Sequence, residues 1–315
     1  MKKEGELDFR KVRTYSIRER PSKVSREDVI RPLSATLRVS ELIDRLPNIL
    51  AARDFKEIIA AVVAARRGGR PVIFALGAHV IKVGLGPLLI DLMERGVITS
   101  LALNGAGIVH DFELALVGQT SEDVAAELED GTFGMAEETA LFLNGAVSTG
   151  AQKGVGIGEA VGRLIAEGDF PYRGSSLLAA GIRLGLPITV HVALGTDIIH
   201  MHPSADGEAI GKGGLIDFQR FTQGISGLER GVYFNIGSAV LLPEVFLKAL
   251  TVARNLGATV RDFTVVNMDF IQHYRPLTNV VRRPTQKFGK GYSLTGHHEI
   301  MLPLLAAGIL AAMEK

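Results

Sequence analysis

The stretch Val72–Glu113, VIFALGAHVIKVGLGPLLIDLMERGVITSLALNGAGIVHDFE, constrains the fold of this chain most, because its polar residues fall only at turns. Val72–Leu76 is an unbroken apolar run ending at Gly77, the pattern of a parallel strand covered on both faces. Pro87–Arg95 carries apolar residues at helical spacing and stops at Gly96. Val97–Leu103 is a second strand-like run, closed by Asn104-Gly105-Ala106-Gly107. A right-handed crossover brings both strand ends to one edge of the sheet, where ligands of open α/β sheets collect. Gly77, Ala78, His79, Asn104, Gly105, His110 and Asp111 are therefore expected around one crevice.

The rest of the chain repeats this alternation. Strands are expected at Ile188–Leu194, Gly231–Ile236 and Asp262–Val266, and helices at Val39–Ala65 (broken near Pro47), Ser121–Leu143, Ser175–Leu184, Asp217–Leu228, Pro243–Leu256 and Ile300–Ala312. The strand ends deliver Asp197, Gly237, Ser238, Asn267 and Asp269, and His297-His298 precede the last helix. This predicts an α/β fold with a large doubly wound, mostly parallel, Rossmann-like sheet. Residues 1–35 form a basic arm and residues 36–315 a single nucleotide-binding domain. The glycine run Gly154–Gly162 suggests a phosphate loop but follows no apolar strand, so a flexible helix start is preferred.

Composition narrows the function. A net charge of +1 excludes bulk attraction to nucleic acid or anionic membranes. With no Cys, the chain has no disulfide, thiolate nucleophile or Cys-ligated metal. No signal peptide or spanning segment is recognised, so a cytoplasmic protein is expected.

All eight histidines lie in or beside turns. His110 and His298 are candidate bases with Asp111 orienting, and near-neutral titration suits them to that work. Arg275, Arg282 and Arg283 are candidates to clamp a carboxylate or phosphate of the substrate. The spacing His200-x-His202, with Asp197, Asp206, His297 or Glu299 as further ligands, leaves a metal-dependent hydrolase or lyase as an alternative.

From Val72 onward the sequence resembles the deoxyhypusine synthase superfamily. Gly77–Gly84 stands at that family's first cofactor turn and Asn104–Asp111 at its second. Ala193–Asp197 is similar to its Ala-Leu-Thr-Asp segment, Gly237–Val240 to its glycine turn, and Asn267-Met268-Asp269 and Gly296-His297-His298 fall at two further turns. The first two turns also resemble the deoxyhypusine-synthase-like part of ornithine cyclodeaminases. The resemblance implies NAD as cofactor, with Gly77, Ala78, His79, Asn104, Gly105, Ala106, Asp197, Gly237, Ser238, Asn267, Asp269 and His297 around it, and a homo-oligomer, a tetramer among the options. The family's imine-forming Lys is replaced by the Val240-Leu241-Leu242-Pro243 stretch, so the expectation is an NAD-dependent enzyme acting on a small polar substrate without deoxyhypusine synthase activity.

Overall fold

The computed structural model of the protein describes residues 7–314; the first six residues of the basic arm, and Lys315, lie outside the described residues. Two helices, α1 (Val39–Arg45) and α2 (Leu50–Arg67), lead into β1 (Val72–Leu76). The chain then runs through α3 (His79–Lys82), α4 (Gly86–Glu94), β2 (Ser100–Asn104), α5 (Gly105–Val117), α6 (Val124–Glu129), α7 (Glu137–Lys153), α8 (Ile157–Glu167) and α9 (Leu177–Leu184) to β3 (Ile188–His191). Then α10 (Gly207–Ser226), β4 (Val232–Ile236), α11 (Leu241–Asn255) and β5 (Thr264–Asp269) follow. A short α12 (Tyr274–Pro276) runs into a π-helical segment, Leu277–Arg282, before β6 (Lys290–Thr295) and α13 (His298–Met313).

The six strands are all parallel, in the order β3-β2-β1-β4-β5-β6. Strand order therefore reverses between β1 and β4, which makes their carboxyl ends the switch point of a doubly wound sheet. Every residue of β1, β4 and β5 is buried, which accounts for their continuous rather than alternating hydrophobicity. Side-chain alternation sorts them into two cores. Phe74, Leu76, Phe234 and Met268 join residues of α2, α4, α5, α8, α9 and α13, whereas Ile73, Ala75, Tyr233 and Val265 join those of α10 and α11.

Three expectations need correction. Ser121–Leu143 is not one helix: Gly131 and Gly134, at φ 71° and 75°, break it into α6 and α7. The last strand, β6, alternates buried Tyr292 and Leu294 with more exposed residues at the sheet edge, and so lacks the apolar run that marked its neighbours. Helix α10 begins ten residues before the expected Asp217, because Asp206 caps it by accepting from Glu208 N and Ala209 N. The preference against a phosphate loop at Gly154–Gly162 has a physical basis: the N-terminus of α8 is taken by the Asp217 carboxylate, which accepts from Gly158 N.

The arm stands off this body. Among the described residues, hydrogen bonds tie residues 7–37 to it at Asn48 N to Asp28 O (3.1 Å) and Arg45 to Pro32 O (2.6 Å).

Candidate functional site

The carboxyl edge holds two adjoining groups of side chains, one over β1 and β4 and one over β2 and β3. At the switch point, Gly77 and Gly237 pass so closely that a Cβ on Gly77 would come within 2.2 Å of the Gly237 carbonyl oxygen. Gly237 has φ 69°, and a Cβ there would approach His298 Nε2 at 2.8 Å. These glycines are thus required by close approach of protein to protein; the expectation that they serve backbone approach to a dinucleotide is not needed to explain them. Ala78 is buried beside them, and His79 is exposed at the mouth.

His298, the first residue of α13, is 2% exposed, and neither of its ring nitrogens has a hydrogen-bond partner. Its ring centroid lies 6.2 Å from that of His79. Burial lowers its pKa, Asp269 opposes that shift, and His79 adds to it. Orphaned buried polar atoms are uncommon and mark places where water or a ligand belongs. His297 is exposed instead, stacked on Phe270 at 5.9 Å.

Over β2 and β3, Asn104 caps α5 by accepting from Gly107 N at 3.1 Å. Asp197 lies against the same helix start, where its carboxylate fills the space a Cβ on Gly105 would need, 2.0 Å away. Burial raises its pKa to about 6. Beside it is a cavity of about 200 Å³ lined by Lys82, Ala106, His110, Glu113, Glu122 and Asp197, among others. His110 Nδ1 meets Thr120 Oγ1 at 2.7 Å, and Thr120 in turn donates to Glu113 at 2.5 Å. Burial, with help from the Lys82 charge, lowers the His110 pKa to about 4. The expected near-neutral titration of His110 is therefore corrected: it stands in the cavity wall as a neutral, weakly basic imidazole.

Asp111, the expected orienting group, points elsewhere. Its carboxylate accepts from Ser176 Oγ (2.5 Å), Leu177 N (2.8 Å) and Leu178 N (3.2 Å), capping α9. Burial raises its pKa to about 6 against those hydrogen bonds. Asp111 is 2% exposed and its acceptor sites are spent on the helix, which removes it from chemistry.

Asn267 and Ser238 are likewise occupied. Asn267 Oδ1 accepts from Asn235 Nδ2 at 2.7 Å and its own amide donates to Gln272, while Ser238 Oγ accepts from Leu242 N at 3.2 Å to start α11. Asp269 holds Phe270 N at 2.8 Å.

The arginines do not converge on the crevice. Arg275 pairs with Glu244 of α11 at 2.7 Å, Arg283 donates to Asn279, and Arg282 is exposed. Nor do the histidines of the metal reading converge: His200 Nδ1 accepts from Gly195 N at 3.3 Å, and His202 Nδ1 turns to Ser204. Among the described residues no three His, Asp or Glu side chains could hold a metal ion. Lys82 is the residue that sequence reasoning missed; a cation three positions after His79, on the one-turn α3, was its signal.

A larger cavity, about 670 Å³, opens at the amino ends of β1 and β2, lined by Pro71, Thr99, Ser100, Arg220 and Phe221 among others. None of the unpartnered buried polar atoms belongs to its lining, whereas those of Asp197, His200 and His298 gather at the carboxyl edge. We place the site at the carboxyl edge for that reason.

The chain matches no protein-family model and no curated protein. Solved structures do share its fold. AgrE in a ternary complex with ornithine and NAD+ superposes with a TM-score of 0.53 at 15% identity, covering 83% of this chain and 33% of that one. The arginine dihydrolase ArgZ, from the ornithine–ammonia cycle in Cyanobacteria, gives 0.51 at 15% identity over 84% of this chain and 33% of that one. A protein from Entamoeba histolytica assigned as a deoxyhypusine synthase gives 0.50 at 9% identity, over 88% and 95%. This chain spans a third of the length of the first two, and at such identity the likeness establishes the fold: a Rossmann-like α/β sheet.

Proposed function

We propose that the chain is an NAD-dependent enzyme, distantly related to the deoxyhypusine synthase superfamily, that acts on a small polar substrate. The observation that carries this reading is His298, buried at the switch point of the sheet with both ring nitrogens unpartnered. Support comes from the fold shared with AgrE, a protein solved with ornithine and NAD+.

The turns Gly77–His79 and Gly237–Ser238 would hold the cofactor along the crevice between β1 and β4. Bound there, NAD supplies hydride acceptance and return. His298 is kept neutral by burial, so one ring nitrogen accepts a proton from a substrate hydroxyl or amine. Asp269 stabilises the imidazolium that results. Of the expected bases, His298 keeps that role, and His110 and Lys82 line the adjoining polar cavity.

Deoxyhypusine synthesis does not fit these residues. Where the family has its Lys, α11 begins with Leu241 and buried Leu242. Lys248, further along α11, is exposed and paired with Glu244.

The test is calorimetric and thermal titration with NAD+, NADH, NADP+ and NADPH. A dinucleotide at a hundredfold over its Kd should stabilise the protein by about 2.7 kcal/mol. No binding of any of the four at millimolar concentration overturns the reading.

A further inference from the structure

We infer that the N-terminal arm of one copy of this chain docks on the acidic, apolar-studded face of a second copy, formed by α6 and its flanks from Val117 to Phe142. Two complementary surfaces carry the inference.

The arm is basic and carries exposed apolar side chains. Between Leu7 and Arg38 there are nine Lys and Arg against four Asp and Glu. Leu7, Phe9, Val12, Tyr15 and Ile17 are 63–81% exposed, although side chains of this kind gain about 1.5–3 kcal/mol each when buried. No residue of the arm's two short 3-10 turns, Phe9–Lys11 and Arg26–Asp28, is buried. Residues 7–24 make their hydrogen bonds among themselves, and the hydrogen-bond ties to the body come only at Asp28 and Pro32 among the described residues.

The second surface is its opposite in charge and its equal in apolarity. From Phe112 to Gln152 the chain has eight Asp and Glu and no Lys or Arg. Val117, Val124, Leu128, Met135, Leu141 and Phe142 are each at least 42% exposed among them. Exposed apolar side chains set among charges of one sign are the composition of an interaction surface. The sign here is the one the arm requires, and opposite potentials give both steering and register. Ser121, Glu122, Val124 and Phe133 of this face also line the 200 Å³ cavity, so a docked arm would roof that cavity.

The second copy is the occupant because it necessarily carries the matching arm at equal concentration, and because, among the described residues, no hydrogen bond or ion pair joins the arm of the same chain to this face. Screening follows from the charges: association should weaken as salt rises.

The absence of Cys gives a clean test in the full-length protein. Single replacements Tyr15→Cys and Leu128→Cys are made in two differently tagged chains, mixed, and oxidised. A disulfide between the two tags is the expected result. A chain carrying both replacements that closes on itself in preference, or no disulfide in either format, overturns the proposal. Independently, charge reversal of the arm (R10E, K11E, R13E) or of the face (D123K, E127K, E129K) should weaken self-association in sedimentation at least about tenfold. A mixture of the two reversed proteins would still present one unaltered arm to one unaltered face. A single chain carrying both reversals should recover to within about threefold of the original, since the charges then match again. Recovery excludes misfolding as the cause; unaltered association in both single reversals, or failure of the combined reversal with an unchanged melting temperature, sinks the idea.

Discussion

Asp217 Oδ2 accepts the backbone N–H of Gly158 at 2.9 Å, and with it the carboxylate closes the start of α8 from inside the protein. The same oxygen takes Val190 N at 2.9 Å, sealing the edge strand β3. Burial raises the Asp217 carboxyl to about 7, above its ordinary 3.8. The folded state therefore keeps this proton over a range in which the unfolded chain has released it. Stability from the group is complete below about pH 4 and is lost as pH rises to about 7, a change of about 4 kcal/mol. Asp217→Asn, which keeps an acceptor and removes the titration, should gain on the original by that amount across the same window. Chemical denaturation at several pH values measures it, and a difference independent of pH would refute the assignment.

Asp111 caps α9, so Asp111→Ala should act on stability rather than chemistry. Three donors, from Ser176, Leu177 and Leu178, lose their acceptor inside the protein. The expected loss is about 3 kcal/mol. Cofactor affinity of the folded fraction should be unchanged. A variant with the original melting temperature and altered cofactor binding would return Asp111 to the site.

His110 offers a spectroscopic check on the polar cavity. Its imidazole should titrate near 4 in NMR, and Lys82→Met should raise that value by removing the neighbouring cation. Because its pKa is depressed in the folded state, the group's contribution is present above about 6.5 and is lost as pH falls towards 4. An unperturbed titration near 6.5 in the original protein would show that the cavity admits bulk water.

His298→Ala should lower turnover about 10²-fold or more, the scale of a general base, while NAD affinity changes little. His298→Gln, which keeps polar atoms without a titratable base, should be nearly as impaired. Restoration of activity in His298→Ala by free imidazole would separate a lost proton acceptor from lost packing. Full activity in the Gln variant removes His298 from proton transfer.

Much of this architecture is legible in the residues. Val72–Leu76 forms a strand with the bounds its apolar run implies, since a strand buried on both faces has no reason to interrupt itself. Edge strand β6 shows the converse: with one face open, KGYSLT carries only Tyr292 and Leu294 inward, and its period-two signal is too short to stand out. The site was legible at the level of which turns meet, because topology sets that. It was not legible at the level of which side chains face the crevice. Asp111 lies one residue from His110 yet points to α9, because successive residues on a helix diverge by about 100°. Glycines read as ligand approaches also meet Asp197 and the Gly237 carbonyl, partners separated from them by more than ninety residues and so invisible to local sequence.

The pairing of Val72 with Val232 also dictates when the crevice can exist. Strands β1, β2 and β3 are made first, and the whole of α10 must follow before β4 can dock against the free side of β1. Closing so long a loop is slow, and it places the switch-point crevice among the late products of folding rather than its nucleus. During synthesis the exposed flank of β1 must wait unpaired until β4 emerges, and that interval is when this chain is most exposed to misassembly with its neighbours.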